Sequence, residues 1–423
     1  MTRTLIGDEF SRLLSGITAN DDRYVPEVVR LILQQARRHR ASDVHLIPEQ
    51  HQFTMLWRID GVLQVVAGFD TELAPRLVAR LKVLSGLLTY RCDVPQEGRI
   101  SVRSVAGMEA ERAAGNAGNA SEPEVRVTTF PTLFGEKVAI RLFAASDRLQ
   151  LLSDLNLPVD IQEALQNLLQ QTSGVVLLSG PSGSGKTTTV YACLREILQQ
   201  SGRCRALMSL EDPIEVMVPG VTQSQVRPSI GFDLESGLKS MMRQDPDVIM
   251  VGEIRDPATA ECAFQAALTG HLVLTTFHAG SSCEAVTRLL DMGIEPYLLR
   301  STLRAVVCQR LLRQSCSQCR PENSGSKNSA EFLDKSFDRS DHSQNCRTCG
   351  GTGYFGRFLM AELLNPDQPD VARSILDRAD VQQLQRAAEG SGLQTLRERC
   401  HQAVQSGLTT AEEVFRILGR NEQ

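Results

Sequence analysis

The stretch VVLLSGPSGSGKTTTVYACLREIL, residues 175–198, consists of an apolar segment, a glycine-rich turn and a helical pattern. Residues 180–187 match G-x-x-x-x-G-K-[ST], in which the glycines let backbone N–H groups surround phosphate oxygens. A helix N-terminus directly after the loop adds positive potential there. The stretch therefore predicts a doubly wound α/β domain with a phosphate-binding loop, and the alternative is an incidental glycine-rich turn.

The side chains of this loop indicate a nucleoside triphosphate with magnesium as the ligand. Lys186 is placed to reach the β and γ phosphates, and Thr187 offers its hydroxyl to Mg²⁺. We therefore predict ATP and Mg²⁺ as cofactors. The predicted nucleotide-binding residues are Gly180, Pro181, Ser182, Gly183, Ser184, Gly185, Lys186, Thr187 and Thr188.

Three further apolar segments, ALMSLEDP, DVIMVGE and HLVLTTF, alternate with helical patterns after this loop. Short apolar runs are typical of parallel strands covered on both faces, and the carboxyl ends of such strands meet at the rim that carries the loop. Glu211 and Glu253 end two of the runs, where a carboxylate can hold Mg²⁺ or orient an attacking water. We predict catalytic roles for both. Glu215 and Asp256 lie nearby, and a solvated loop position is an equal alternative for them.

The segment before this domain has a different pattern. Residues 24–40 place apolar side chains at helical spacing, and alternating strands follow around the turn signal Asp60-Gly61. Two more strands, GRISVR and EVRVTTFP, flank the Ala/Gly/Asn-rich spacer 104–123, which we expect to be a flexible loop. A third strand, KVAIRLF, follows them. The pattern predicts a mixed sheet with helices that ends before a linker.

Composition restricts the class of protein. The 423-residue chain exceeds what one core usually serves, so two or three domains are expected. A net charge of -5 gives no bulk attraction for a nucleic-acid backbone, and we expect no nucleic-acid partner. No apolar run approaches about 18 residues and the start does not read as a signal peptide, so we expect a cytoplasmic protein without direct membrane insertion.

Four of the eleven cysteines form two C-x-x-C pairs. A disulfide framework is disfavoured in the cytoplasm, whereas two such pairs suit tetrahedral Zn²⁺ bound by four thiolates. The polar segment between the pairs has too few apolar residues for a core of its own, so a metal would fix it to the domain. We predict a structural zinc site, with free cysteines as the alternative; its ligands would be Cys316, Cys319, Cys346 and Cys349.

In combination, GPSGSGKTTTVY, EDPIE, RQDPDVIMVGEIRDPATAECAFQAALTGHLVLTTFHAG, the paired cysteines and GTGYFGR resemble the type II secretion and type IV pilus assembly ATPases. Upstream, ASDVHLIP, RIDGVL, PQEGRISVR and VRVTTFPTLFGEKVAIRL extend the resemblance, which covers roughly residues 24–420. It implies a hexameric α/β ATPase in which a PAS-like mixed α+β domain precedes a RecA-like P-loop domain, with nucleotide between them.

This resemblance completes the predicted organisation of the chain. Many family members carry a long N-terminal domain that docks on a membrane-bound partner, where this chain has a short leader. The predicted segments are the leader (1–22), the PAS-like domain (23–145), a linker (146–158), the RecA-like core (159–315), the tetracysteine zinc-binding insertion (316–353) and a helical C-terminal subdomain (354–423).

The resemblance also implies roles for single residues by position. Arg99 and Arg126 match first-domain arginines that family members direct at the nucleotide phosphates, a role suited to a guanidinium; solvated strand arginines are the alternative. The matching motifs are Walker A (Lys186, Thr187), the Asp box (Glu211), Walker B (Glu253) and the His box (His271, His278).

The two histidines stand at opposite ends of HLVLTTF. In a strand, seven steps of about 3.3 Å separate them by roughly 23 Å and turn their side chains to opposite faces, so they cannot share a metal. His278 falls on the rim with Glu253, and we predict that it senses the γ-phosphate. For His271 we expect a structural or subunit-contact role, with an ordinary hydrogen-bonded histidine as the alternative.

The predicted function is an ATP-hydrolysing hexameric motor that powers assembly of a pseudopilus or a type IV pilus. Its implied partners are further copies of the chain, an inner-membrane platform protein and a cytoplasmic membrane-anchoring subunit. Retraction ATPases share the motor motifs but typically lack the paired cysteines, so the cysteines favour assembly or secretion. The alternatives are a retraction or DNA-uptake pilus ATPase, a P-loop kinase, which leaves the cysteines unexplained, and a non-enzymatic scaffold, which predicts a broken Walker A motif or a missing Glu253.

Overall fold

The computed structural model describes residues 5–16, 23–101, 124–142, 151–202, 204–319 and 346–419. These residues separate into two compact units. The first holds the described residues up to 142 together with 316–319 and 346–356, and the second holds 151–315 and 357–419. The predicted flexible spacer 104–123, part of the predicted linker and the segment between the two cysteine pairs lie outside the described residues.

The first unit contains a six-stranded sheet with the strand order β3-β2-β1-β6-β5-β4, in which all neighbouring strands are antiparallel. Its strands are β1 (Ala41–Pro48), β2 (Phe53–Ile59), β3 (Val62–Phe69), β4 (Gln96–Ser101), β5 (Glu124–Thr132) and β6 (Gly135–Leu142). Its helices are α1 (Leu5–Ser15), α2 (Tyr24–Arg38) and α3 (Ala74–Leu84).

Alternation of side chains positions this sheet against its helices. In β1, Val44 and Leu46 are buried in the core, whereas Asp43 and His45 on the other face are only partly buried. The predicted turn between β2 and β3 is present: Asp60 and Gly61 both have positive φ, 48° and 84°, as a two-residue hairpin turn requires. The structure therefore shows the predicted sheet with helices, but the sheet is antiparallel and not mixed, because short turns join β1 to β2, β2 to β3 and β5 to β6.

Helix α1 lies in the segment predicted as a short leader. Its Phe10 is 1% exposed and meets the rings of Trp57 and Phe69 edge-on, at centroid distances of 5.9 and 6.4 Å. Ile6, one turn earlier, is also buried. The spacing of these apolar side chains by four residues gives α1 one apolar face, and that face belongs to the core of the first unit.

The second unit contains a seven-stranded sheet with the order β13-β12-β7-β11-β10-β8-β9, and the pairs from β12 to β9 are parallel. Its strands are β7 (Gly174–Ser179), β8 (Leu207–Glu211), β9 (Thr222–Gln225), β10 (Val248–Val251), β11 (Leu272–Phe277), β12 (Leu303–Ser315) and β13 (Tyr354–Leu364). Its helices are α4 (Val159–Leu168), α5 (Lys186–Ser201), α6 (Leu234–Met241), α7 (Pro257–Leu268), α8 (Ser282–Asp291), α9 (Pro296–Thr302), α10 (Pro369–Leu376), α11 (Val381–Gly390), α12 (Leu396–Gln405) and α13 (Ala411–Leu418).

Central strands of this sheet are buried on both faces. Every residue of β7, β10 and β11 is buried, which explains why their sequences are apolar runs without alternation. The four predicted strands of this domain are all present. The structure adds β9, β12 and β13, and residues 354–364 form a strand where the sequence pattern predicted the start of a helical region.

A buried carboxylate connects the edge of this sheet to two helices. Glu362 of β13 is 3% exposed and accepts hydrogen bonds from the backbone N–H of Ser282 (2.7 Å), from the Ser282 hydroxyl (2.8 Å) and from the backbone N–H of Leu396 (2.8 Å). These residues begin α8 and α12, so one carboxylate satisfies the N-termini of both helices. Helices α8 and α12 are in this way attached to the edge strand β13 by hydrogen bonds as well as by packing.

Candidate active site

The predicted phosphate loop connects β7 to α5. Gly180, directly after β7, has φ 144°, and Gly185, directly before α5, has φ 91°, values that L side chains rarely adopt. A Cβ added at Gly180 would lie 2.5 Å from the carbonyl oxygen of Gln309, so only glycine fits there. Thr187 and Thr188 lie in the first turn of α5. The sequence folds here as the motif predicts, with backbone N–H groups at the start of a helix.

Lys186 is largely buried and its ammonium contacts its own loop. It donates hydrogen bonds to the carbonyl oxygens of Gly180 (2.7 Å) and Pro181 (3.0 Å), and it lies 3.4 Å from Nδ1 of His278. Burial lowers the pKa of Lys186 to about 8, although the nearby Glu253 carboxylate opposes this shift. The ammonium form therefore dominates at neutral pH and is lost as the pH rises through about 8.

His278, directly after β11, connects the phosphate loop after β7 to Glu253 after β10. Its Nε2 lies 2.8 Å from a carboxylate oxygen of Glu253, and its Nδ1 lies 3.1 Å from the carbonyl oxygen of Gly180. Glu253, just beyond β10, also accepts a hydrogen bond from Nε of Arg255 (3.0 Å). The structure thus brings Lys186, Glu253 and His278 together at the carboxyl ends of β7, β10 and β11, as the sequence predicted.

Glu211 occupies a different environment from Glu253. Its side chain, at the end of β8, is 2% exposed and accepts hydrogen bonds from Ser209 Oγ (2.6 Å), Gln223 Nε2 (3.0 Å) and the Tyr191 hydroxyl. Burial and the hydrogen bond to Glu211 both raise the pKa of Tyr191, which stays a neutral donor. With its oxygens occupied by protein donors, the Glu211 side chain fixes the strand end, and its predicted catalytic role stays a prediction.

Asp256 and Glu215, two further acidic residues predicted near this rim, make other contacts. Asp256 caps α7, accepting from the Thr259 backbone N–H at 2.8 Å and from its hydroxyl at 2.9 Å. Glu215 contributes its backbone N–H, which donates to the Tyr191 hydroxyl over 3.3 Å. For Asp256, the structure favours a helix-capping role over the catalytic alternative.

Arg99 and Arg126 both belong to the first unit, where they are directly opposite each other in the antiparallel pair of β4 and β5. The guanidinium of Arg126 forms an ion pair with Glu97 at 2.5 Å. Two cations side by side on one sheet face suit an anionic ligand. The role of both arginines toward the nucleotide phosphates stays a prediction.

The tetracysteine cluster also belongs to the first unit. The sulfurs of Cys316 and Cys346 are 3.9 Å apart, those of Cys319 and Cys349 are 3.6 Å apart, and all four lie within 4.8 Å of one another. Tetrahedral zinc with bonds of about 2.3 Å separates its thiolates by about 3.8 Å, so the four residues fit Zn²⁺. Close by, a Cβ added at Gly350 would lie 3.3 Å from the Ile6 side chain, which shows that the second cysteine turn packs on α1.

His271, at the other end of β11, contacts the end of α7. Its Nδ1 lies 2.8 Å from the carbonyl oxygen of Ala266 and 3.2 Å from the Thr269 hydroxyl. The Ala266 carbonyl at this helix end also accepts hydrogen bonds from the Thr269 hydroxyl (2.9 Å) and from the backbone N–H of His271 (3.2 Å), so the imidazole adds one more contact to a helix end that is already paired. This contact suits both the structural role expected for His271 and the alternative of an ordinary hydrogen-bonded histidine, and the subunit-contact role stays a prediction.

Replacement of the two histidines should separate their roles. We expect His278→Ala to lower the rate of ATP hydrolysis by roughly 10-fold to 100-fold, because it loses the contact between Glu253 and the phosphate loop. His271→Ala should lower the melting temperature and leave the turnover number within about threefold, since it loses a helix-end hydrogen bond of about 1 kcal/mol. Steady-state phosphate release and thermal unfolding of both variants check this; equal catalytic losses with unchanged melting temperatures would contradict it.

Two site residues were missed by reasoning from the sequence. Gln309 and Arg310 lie on β12, and Gln309 Nε2 donates to the carbonyl oxygen of Ser184 in the phosphate loop at 3.0 Å. Their signal in the sequence is the polar pair itself, since CQRLL places a glutamine and an arginine inside an apolar run. The pair lies outside the Walker A, Asp box, Walker B and His box motifs, so no motif spacing pointed to it.

A phosphate loop after a central parallel strand, with carboxylate and imidazole groups at the ends of neighbouring strands, defines a P-loop ATPase of the RecA-like class. The chain belongs to the family described as "Type II/IV secretion system protein", whose profile matches residues 18–416. "Type II secretion system protein HxcR" of Pseudomonas aeruginosa is 36% identical over 97% of this chain and 81% of that protein. "Type IV pilus assembly ATPase TfpB" of Acinetobacter baylyi is 35% identical over 94% of this chain and 66% of that protein.

Solved structures agree with the fold. The Legionella pneumophila ATPase DotB matches 94% of this chain and 97% of its own with a TM-score of 0.65 and 20% identity. The pilus retraction motor PilT with bound ADP matches 92% of this chain and 96% of its own with a TM-score of 0.56 and 22% identity. At these identities the likeness shows the fold alone, and the predicted fold class is confirmed. In the described part of the chain, no helix combines the length and the apolar character needed to cross a membrane.

Proposed function

We propose that this chain is an ATP-hydrolysing hexameric motor that powers assembly of a pseudopilus or a type IV pilus. Membership of the secretion ATPase family implies ATP hydrolysis. The observation that carries the proposal is the cluster of Lys186, Glu253 and His278 around one phosphate loop, because it joins phosphate binding, proton transfer and a connection between strands. The relatives named for type II secretion and for type IV pilus assembly support both forms of the machine.

Each residue of the cluster has a distinct task in this proposal. The backbone N–H groups of the loop bind the phosphates, and Lys186 exchanges the carbonyl oxygens of Gly180 and Pro181 for phosphate oxygens. Glu253 orients the attacking water and accepts its proton. His278, held between Glu253 and Gly180, reports the presence of the γ-phosphate to β11. The Thr187 hydroxyl would hold Mg²⁺, which would supply positive charge to the β and γ phosphates.

The partners of the motor are part of the same proposal. Six copies form a ring in the cytoplasm, and Arg99 and Arg126 of the first unit complete the charge around the phosphates. The ring associates with the inner membrane through a platform protein and an anchoring subunit. Its ATP-driven closures move the platform, which adds subunits to the filament.

A pilus retraction motor is the second candidate, because the PilT structure shares the fold. The tetracysteine cluster favours assembly or secretion, since retraction motors typically lack it. A gene neighbourhood with pseudopilins and an outer-membrane channel would indicate secretion, whereas pilins beside a separate retraction ATPase would indicate pilus assembly.

The proposed hydrolysis is tested by replacing Lys186. We expect the purified wild-type chain to release phosphate from ATP in the presence of Mg²⁺, and Lys186→Ala to lower kcat/KM by at least roughly 100-fold, because a charged hydrogen-bond donor to the phosphates is removed. Lys239→Ala, which removes an exposed lysine of α6 paired with Glu235 at 2.5 Å, is the matched control and should act as wild type. A kcat/KM of Lys186→Ala equal to that of wild type would contradict ATP hydrolysis at this phosphate loop.

The metal proposal has its own measurement. The chain purified without chelator should contain about one zinc ion per protomer, because four thiolates with this spacing form a complete tetrahedral set. Cys346→Ser should lose the metal and lower the melting temperature of the first unit, whereas Cys204→Ser, which replaces an exposed cysteine outside the cluster, should change neither. Four freely titrating thiols in a metal-free protein would remove the proposal.

A further inference from the structure

Strand β12 carries two adjacent polar side chains that lie beside the nucleotide site. Gln309 is 0% exposed and donates from Nε2 to the carbonyl oxygen of Ser184 at 3.0 Å. Arg310 is 8% exposed and donates from Nη2 to the carbonyl oxygen of Gly280 at 2.6 Å. Ser184 belongs to the phosphate loop, and Gly280 lies two residues after His278.

The geometry of a strand explains how one dipeptide reaches both segments. Consecutive side chains of a strand point to opposite faces of its sheet. β12 pairs with β7, and the partner of Cys308 is Ser179, the last residue before the phosphate loop. On the other side of β7, Phe277 pairs with the same Ser179. The end of β7 is therefore flanked by the start of the His278 segment and by the Gln309–Arg310 pair.

The polar atoms around Gln309 are not arranged for stability alone. Among the described residues, neither Gln309 Oε1 nor Ser184 Oγ has a hydrogen-bond partner, although both are buried. A buried polar atom without a partner costs about 1–3 kcal/mol, which offsets the stability gained from the hydrogen bond that Gln309 donates to Ser184. Such groups are retained where they set the geometry of a functional site.

The environment of Arg310 leads to the same conclusion. Besides Gly280, its guanidinium contacts the carbonyl oxygen of Gln309 (3.0 Å) and the sulfur of Cys308 (3.4 Å). A cation held mainly by backbone carbonyls fixes the position of those carbonyls. Arg288 adds a second hydrogen bond to this segment, from its guanidinium to the carbonyl oxygen of His278. Arg310 thus restrains the backbone that carries His278 without touching the imidazole.

We propose that Gln309 and Arg310 are positioning residues of the ATP site, in which Gln309 holds the phosphate loop and Arg310 holds the His278 segment. The inference rests on the proposed ATPase function. It assigns the two residues separable effects, because the phosphate loop binds nucleotide whereas His278 acts on the hydrolytic step. Gln309 therefore governs affinity, and Arg310 governs turnover.

The test compares Gln309→Met and Arg310→Met in the full chain. For Gln309→Met we expect KM for ATP and Kd for fluorescent ADP to rise about tenfold, with kcat within about threefold, because one neutral hydrogen bond to the loop is lost. For Arg310→Met we expect kcat to fall roughly 10-fold to 100-fold with KM within about threefold. Arg310→Lys, which keeps a cationic donor, should recover part of the lost turnover.

Hydrogen–deuterium exchange provides a readout that needs no turnover. Exchange of the backbone N–H groups should accelerate in residues 182–186 of Gln309→Met but not in its residues 278–281. In Arg310→Met it should accelerate in residues 278–281 but not in residues 182–186. Arg313→Met is the control on the same strand: it loses the 2.7 Å ion pair with Glu413, so it should lower the melting temperature while KM and kcat stay as in wild type.

Two outcomes would overturn the positioning roles. One is unchanged exchange in both segments together with wild-type KM and kcat. The other is a loss of melting temperature like that of Arg313→Met, with KM and kcat affected alike in both variants. If the wild-type chain did not hydrolyse ATP, the proposed function would fail, and the ADP affinity and exchange measurements would still decide whether Gln309 and Arg310 hold their segments.

Discussion

Replacing Glu253 by glutamine is expected to lower the turnover number for ATP by roughly 10²-fold to 10⁴-fold, the range that a general base contributes. The amide has nearly the shape of the carboxylate but cannot accept a proton from water. Because the phosphate loop is unchanged, the affinity for ADP should stay within about threefold of wild type. The substitution therefore separates hydrolysis from binding, which Lys186→Ala does not.

Single-turnover phosphate release and fluorescent-ADP titration measure these two quantities for Glu253→Gln. Glu235→Gln, which neutralises an exposed carboxylate of α6, is the matched control and should behave as wild type. A turnover number within about threefold of wild type would show that Glu253 is not the base. In that case we expect the base to be His278, whose Nε2 lies 2.8 Å from the Glu253 carboxylate.

The second large effect concerns stability. Glu362→Ala removes three hydrogen bonds to a buried carboxylate, and hydrogen bonds to charged groups contribute about 1.5–3 kcal/mol each. Water that enters the space left by the side chain can bind the freed N–H and hydroxyl groups of α8 and α12 and recovers part of this energy. We therefore expect the free energy of unfolding to fall by about 3 kcal/mol. For a unit of this size that lowers the melting temperature by about 6–12 °C.

Thermal unfolding followed by circular dichroism at neutral pH measures this loss. Asp370→Ala is the control, because Asp370 is an exposed acid of α10 whose ion pair with Arg373 spans 3.9 Å; surface changes of this kind stay within about 0.5 kcal/mol. A melting temperature of Glu362→Ala equal to that of the control would mean that the two helix ends do not depend on this carboxylate.

Much of the fold follows from the sequence because its strands carry strong patterns. β7, β10 and β11 are short apolar runs typical of buried parallel strands, and Gly180, Gly183 and Gly185 of the phosphate loop have positive φ. The meeting of Lys186, Glu253 and His278 also follows, since parallel strands bring their carboxyl ends to one rim. The strands and the loop are predictable from residues close together in sequence, and the meeting of the three side chains is predictable from the shared direction of parallel strands.

Other parts depend on contacts distant in sequence. Glu211 has the same place in the pattern as Glu253, yet Ser209, Tyr191 and Gln223 surround it, and no spacing predicts that combination. Strand β12 carries interior polar residues that obscure its period, and only its pairing with β7 makes it a strand. The sequence pattern therefore predicts where the strands end, but it does not show which of the carboxylates at those ends is free to act on the nucleotide.

The spacing of the cysteine pairs predicts some features of the cluster but not its position in the fold. Their spacing predicts a cluster, and the four sulfurs meet with the separations that zinc needs. The spacing does not say which part of the chain the cluster packs on, because Cys316 directly follows a strand of the second unit. Gly350 lies beside Ile6 of α1, and both the cysteine cluster and α1 belong to the first unit. The sequence pattern predicts only a short leader where α1 lies.

That discontinuity matters during synthesis on the ribosome. The first unit is made early, but the residues that complete it, 346–356, follow β7 to β12 along the chain. At about 5–20 residues per second, the roughly 200 intervening residues take about 10–40 s to translate. For that time Ile6 on α1 lacks the turn that packs against it, so a nascent chain exposes an apolar side chain that the finished protein buries. The last step in folding the N-terminal unit is therefore set by translation of a much later segment.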